Sequence, residues 1–190
     1  YRHPAPMLDV QRAVRTVRSR AAEWKVDPSK IGVLGFSAGG HLAATAVTHF
    51  DDGKADAEDP IDRASSRPDF GVLCYPVITF DRETSHKGSR QNLLGDKADD
   101  AALVEDLSCD RRVTEKTPPC FLIHTYGDVV VPPENSIDFY LAMRKAKVPV
   151  ELHLYEQGRH GYGLAPKDPI LSSWPDRLAA WLQIRGLSAK

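Results

Sequence analysis

The sequence predicts an α/β domain built on a mainly parallel sheet, and three observations carry that reading. A short apolar run, Ile31 to Phe36, meets Gly35-Phe36-Ser37-Ala38-Gly39 and passes into small, helix-forming residues, the pattern of strand, sharp turn and helix. Phe70 to Val77 and Pro118 to His124 are short and almost wholly apolar, as strands buried on both faces are. Segments with helical spacing stand between such runs, so strand and helix alternate along the chain. With 190 residues, 42% of them hydrophobic, the chain is long enough to bury a core and reads as one domain over 1–190.

Taken in order, Val10, Ala13, Val14, Val17, Ala21 and Trp24 recur at three- and four-residue steps and predict an amphipathic helix from Asp9 to Trp24. Arg12, Arg15, Arg18 and Arg20 fall between them and read as a solvated face. Asp27-Pro28-Ser29-Lys30 makes a turn, Ile31 to Phe36 a strand, and Ala38 to Phe50 the helix that follows it. Asp51 to Pro68 is acidic and without period, hence a surface loop. Phe70 to Val77 is a second strand closed by Pro76. Thr79 to Asp100 is a long polar excursion, and Ala101 to Leu107 a short helix within it. A third strand at Pro118 to His124 leads into Thr125 to Pro132, and Pro133 opens a helix to about Lys147. Val150 to Tyr155 is a fourth strand, Gly158 to Gly163 a glycine-rich loop, and Ser173 to Asp176 the start of a last helix that ends before Gly186.

The totals exclude several functions. Twenty-five basic and 26 acidic residues leave a net charge of -1, so no global field points to nucleic acid or an anionic membrane. No apolar run approaches the roughly 18 residues of a membrane span. Cys74, Cys109 and Cys120 lack metal-ligand spacing and read as buried thiols. Neither a metal nor a cofactor is implied. Tyr1-Arg-His-Pro reads as mid-chain sequence, which leaves the compartment open.

The chemistry gathers at strand ends. In a Gly-x-Ser-x-Gly turn, Gly35 and Gly39 are expected to remove Cβ atoms that would clash as strand and helix cross, leaving Ser37 strained and its Oγ exposed. The backbone N–H of Ala38, at the helix start, faces an oxyanion formed there. A serine nucleophile needs a base, and the base needs an orienting carboxylate. Asp128 follows the third strand and His160 lies in the glycine-rich loop after the fourth, which places all three groups on one sheet edge in the order Ser, Asp, His. His124 and His153 lie within strands, His41 and His49 on the helix after Ser37, and His3 and His86 in irregular segments, all weaker positions for the base. Asp81, Asp96 and Asp138 are the alternatives to Asp128.

Gly-Phe-Ser-Ala-Gly-Gly-His-Leu-Ala at 35–43, Gly-Ser-Arg-Gln-Asn-Leu-Leu-Gly at 88–95, Val-Val-Pro-Pro-Glu-Asn-Ser at 130–136 and the stretch 151–164 give the chain a family likeness. From about residue 3 to 184 it resembles bacterial α/β-hydrolases of the acetyl-xylan esterase and feruloyl-esterase-like type. That resemblance implies the α/β-hydrolase fold, Ser37 as nucleophile, Asp128 as acid, His160 as base and Ala38 as one oxyanion donor. It also implies acyl esters, chiefly acetyl, on plant polysaccharide as substrates. Such proteins usually carry His-Gly-Gly-Gly upstream, and nothing like it precedes Ser37. The expectation is therefore a chain lacking the N-terminal part of the fold, with the strand before Ser37 at an exposed apolar edge. Gly127 stands where relatives commonly have a second acidic residue. An esterase is the first expectation; a fragment that binds without catalysing, and a peptidase or lipase whose pocket is shaped by 51–68 and 79–100, are the alternatives.

Overall fold

The apolar runs form four strands, β1 (Gly32–Phe36), β2 (Phe70–Cys74), β3 (Cys120–Thr125) and β4 (Val150–Tyr155), all parallel and ordered β1-β2-β3-β4. The computed structural model describes residues 1–188. Leu34 lies beside Val72, Val72 beside Phe121, and Phe121 beside Glu151, so the carboxyl ends of the strands fall along one edge.

Side chains alternate across a strand, and the two faces of the sheet therefore have separate cores. On one face Leu73, Cys120 and Leu122 pack against Ala43, Ala44 and Val47 of helix α3 (Ala38–Thr48) and Phe139 and Met143 of helix α6 (Glu134–Lys145). On the other, Val72, Cys74, Phe121 and Ile123 meet Trp174 and Trp181 of helix α7 (Trp174–Ile184). Each fully buried Val, Leu, Ile, Phe or Met among them contributes about 1.5–3 kcal/mol. All three cysteines are free and buried, and burial pushes their thiols up to about 12.

Several boundaries differ from expectation. The first helix begins earlier, as α1 (Ala5–Ser19), and Arg20 interrupts it before a single turn, α2 (Ala21–Trp24). Its arginines do not form a merely solvated face. Arg12 pairs with Asp59 and Asp62, Arg15 with Asp51, and Arg18 with Asp69 and the carbonyls of Ser65 and Arg67, tying the 51–69 segment to α1. The second strand stops at Cys74, because Tyr75 turns to φ 37°.

The polar excursion holds a helix that periodicity missed, α4 (Lys87–Leu94), ahead of α5 (Ala101–Asp106). Only its last turn is apolar; His86 Nδ1 caps its start by accepting from the Ser89 N–H at 3.2 Å. The excursion has its own small core of Val77, Phe80, Leu94, Val104, Leu107 and Val131.

Candidate active site

Ser37 joins β1 to α3 at φ 54° and ψ −118°, a backbone conformation strained for a residue with a side chain. Its N–H donates to the Cys74 carbonyl, and its own carbonyl accepts from the N–H groups of His41 and Val77. These bonds over-determine the turn. The two motif glycines are not equivalent. A Cβ on Gly35 would stand 2.0 Å from the Gly39 carbonyl oxygen, so the close crossing of β1 and α3 requires Gly35. A Cβ on Gly39 would meet nothing within 4 Å, which corrects the expectation that both glycines relieve a clash. The second crowded position is Gly40, where a Cβ would lie 2.7 Å from the Cβ of Pro76.

The structure brings Ser37, His160 and Asp128 together at the carboxyl edge of the sheet. Ser37 Oγ lies 2.7 Å from His160 Nε2, and His160 Nδ1 lies 2.6 Å from Asp128 Oδ2. A carboxylate oxygen only accepts, so Nδ1 carries the hydrogen and Nε2 offers its lone pair to the serine hydroxyl. Burial raises the Asp128 carboxyl, but hydrogen bonds from His124 and His160 and from the N–H groups of Val131 and Val130 outweigh it and lower it to about 2. Asp128 therefore remains charged beside the imidazole at neutral pH. Ala38 opens α3, and among the described residues no backbone acceptor meets its N–H. That donor is free for an oxygen that becomes negative beside Ser37.

The loop carrying His160 is held from both sides. Thr125 Oγ1 donates to the Gly158 carbonyl at 3.0 Å, and Tyr75 Oη accepts from the Gly163 N–H at 3.1 Å. The Tyr75 ring meets the His160 ring edge-on, centroids 5.2 Å apart. Gly127 lies under this loop, where a Cβ would come 2.9 Å from the Gly158 carbonyl oxygen. An acidic side chain there would need the loop to move.

Sequence reasoning passed over two residues of this region. His124 reads along the chain only as a strand residue, yet its Nε2 lies 3.3 Å from Asp128 Oδ2. Tyr75 carried no signal beyond its place before Pro76. Of the alternative acids, Asp81 and Asp138 pair with Arg82, and Asp96 with Arg2. A cavity of about 360 Å³ adjoins the start of α3, lined by Ala38, Gly39, His41, Phe80, Asn92 and Leu93 among others. Ser37, Asp128 and His160 do not line it, and neither does the 51–68 segment, which is bound to α1 instead. Among the described residues no cluster of His, Cys, Asp and Glu suits a metal ion, and no helix is long and apolar enough to cross a membrane.

A serine, histidine and aspartate delivered by three parallel strands, with the serine on a strained strand-to-helix turn, define the α/β-hydrolase fold. The chain belongs to the BD-FAE family, which it matches over residues 1–143. It is 48% identical to an acetyl ester-xyloside bifunctional hydrolase from Caldicellulosiruptor lactoaceticus, whose crystal structure superposes with a TM-score of 0.97 over 100% of this chain and 69% of that one. It is 40% identical over 90% of its length to endo-1,4-beta-xylanase B of Butyrivibrio fibrisolvens, and 37% identical over 83% to an acetylxylan esterase of Xylanibacter ruminicola. The chain spans 26% and 31% of those two proteins.

Proposed function

We propose that this chain carries the catalytic centre of a serine carboxylesterase that removes acyl groups, chiefly acetyl, from a polysaccharide such as xylan. The observation that carries the reading is the unbroken relay from Ser37 Oγ through His160 to Asp128, with both links at hydrogen-bond length. Ser37 Oγ attacks the ester carbonyl carbon while His160 Nε2 takes its proton, and the oxyanion forms against the Ala38 N–H. The tetrahedral species collapses, the C–O bond to the alcohol breaks, and His160 returns the proton to the departing oxygen. Water then attacks the acyl-serine with His160 again as base, releasing the acid and restoring Ser37. Acetyl on xylan as the substrate rests on similarity to the acetylxylan esterase and the acetyl ester-xyloside hydrolase.

The residues 1–190 fit as the C-terminal portion of one α/β-hydrolase domain, since β1 lies at the sheet edge with Leu34 and Phe36 exposed. Two relatives are named for xylanase or xyloside cleavage, which requires two carboxylates flanking a glycosidic bond. Asp128 has both oxygens occupied by hydrogen bonds, so the ester reading is preferred.

Hydrolysis of p-nitrophenyl acetate and of acetylated xylan by wild type and by Ser37→Ala tests the reading. Ser37→Ala is expected to lower kcat by at least about a thousandfold. Wild-type turnover in that variant would refute it.

A further inference from the structure

Asp128 is held by more than His160. Its Oδ1 accepts from the N–H groups of Val130 at 3.0 Å and Val131 at 2.9 Å. Its Oδ2, 2.6 Å from His160 Nδ1, also lies 3.3 Å from His124 Nε2. That same nitrogen is 2.9 Å from the Val131 carbonyl oxygen. Both neighbours only accept, so Nε2 carries a hydrogen, which is bonded to the Val131 carbonyl and lies beside Asp128 Oδ2. On the far side of the ring, His124 Nδ1 lies 2.8 Å from Ser136 Oγ. The side chains of His124 and Asp128 are fully buried, and so is Ser136.

The parts come from different elements. His124 stands near the end of β3, Asp128 on the loop that follows, and Ser136 in the first turn of α6. A carboxylate at a loop tip rotates about its Cβ–Cγ bond unless donors fix both oxygens. Here two backbone N–H groups fix Oδ1 and two imidazoles face Oδ2. Resting on the esterase reading above, we propose that His124 is a positioning residue for the reaction, held by Ser136, whose Nε2–H keeps Asp128 Oδ2 aligned with His160 Nδ1. The relay then runs Ser136, His124, Asp128, His160, Ser37. His124 touches no reacting atom. Its effect is to keep the carboxylate an acceptor while His160 gains a proton, so that the proton stays on the imidazole rather than passing to Asp128. The Asp128 charge is in turn felt at the hydroxyls of Tyr75 and Tyr162, which it raises.

The test compares wild type, His124→Phe, His124→Gln and Ser136→Ala for kcat, KM and the pH profile of p-nitrophenyl acetate hydrolysis. The low-field proton NMR signal of the His160 Nδ1–H···Asp128 bond is recorded alongside. His124→Phe removes the donor, and kcat should fall about tenfold or more with KM nearly unchanged. The acid limb of the profile and the low-field resonance should both move. His124→Gln keeps an N–H at similar reach and should recover most of the loss, which a merely structural role would not explain. A folded His124→Phe with wild-type kcat, profile and resonance would overturn the proposal, as would a Gln variant as impaired as Phe. If His124→Phe does not fold, Ser136→Ala decides: a lowered kcat with a moved resonance supports the relay, and unchanged values overturn it. Wild-type turnover that does not depend on Ser37 would refute the esterase reading itself; Ser37-dependent turnover with unaffected His124 variants would refute this inference alone.

Discussion

Ser37 is held at φ 54°, a conformation that costs on the order of 1–3 kcal/mol and persists because its backbone is bonded on both sides. The strain is affordable only where β1 and α3 approach closely, and that closeness depends on Gly35. Gly35→Ala should destabilise the fold by about 1–3 kcal/mol or more and displace Ser37 with it, because its Cβ meets a backbone carbonyl that has nowhere to go. Gly39→Ala should leave thermal stability within about 0.5 kcal/mol of wild type, or raise it, since that position is helical and open. Thermal melts of the two variants check this, and equal losses in both would contradict it. The pentapeptide is symmetric on paper, with one glycine on each side of the serine. Its crowding is not, because only the strand glycine points into the crossing.

Helix α3 is joined to the 79–107 excursion by a second histidine. His41 Nε2 donates to the Leu107 carbonyl at 2.8 Å, and its ring stacks on Phe80 at 4.5 Å. Burial lowers its basicity from the ordinary 6.5 to about 4, only partly offset by the Leu107 bond. A group whose folded value is depressed contributes stability that is present above its unfolded value and lost as pH falls towards the folded one. The window here runs from about pH 6.5 down to about 4, and the contribution is on the order of 3 kcal/mol. Urea unfolding across that window should show wild type losing stability more steeply than His41→Gln, which has no proton to gain. His3 and His49 are also lowered by burial, so part of the slope remains in the variant. Identical slopes would show that His41 does not titrate with unfolding. The excursion itself illustrates what patterning reveals. Phe80, Val104 and Leu107 are readable as apolar, but α4 has a polar sequence and forms where its last turn meets the small core they build.

Across the molecule, β2 and β3 are covered on both faces and β1 is open along its outer edge. Leu34 is 50% and Phe36 37% exposed on that strand. An open apolar edge pairs with whatever strand it meets. The 190-residue chain in concentrated solution should therefore self-associate through β1, and Leu34→Lys should reduce the weight-average mass seen by light scattering. An unchanged mass would show that the edge is not the contact. The arginine clamps of α1 act differently. Arg15 and Arg18 are mostly buried and bind carbonyls as well as carboxylates, so they order the 51–69 segment rather than present charge to a partner.

Four strands, the turn at Ser37 and the order of Ser37, Asp128 and His160 were legible along the chain. Each depends on neighbours: apolar runs of strand length, a glycine turn between a strand and a helix, and polar groups placed where such runs end. The pairing of His124 with Asp128, the support of His160 by Tyr75 and Thr125, the difference between Gly35 and Gly39, and the binding of the 51–69 segment by arginines were not. Those contacts join groups on different elements or at a strand end, and no periodicity records them. They arise when the two faces of the sheet are packed and the strand ends are drawn to one edge, because only then do buried polar groups find the partners that burial obliges them to have.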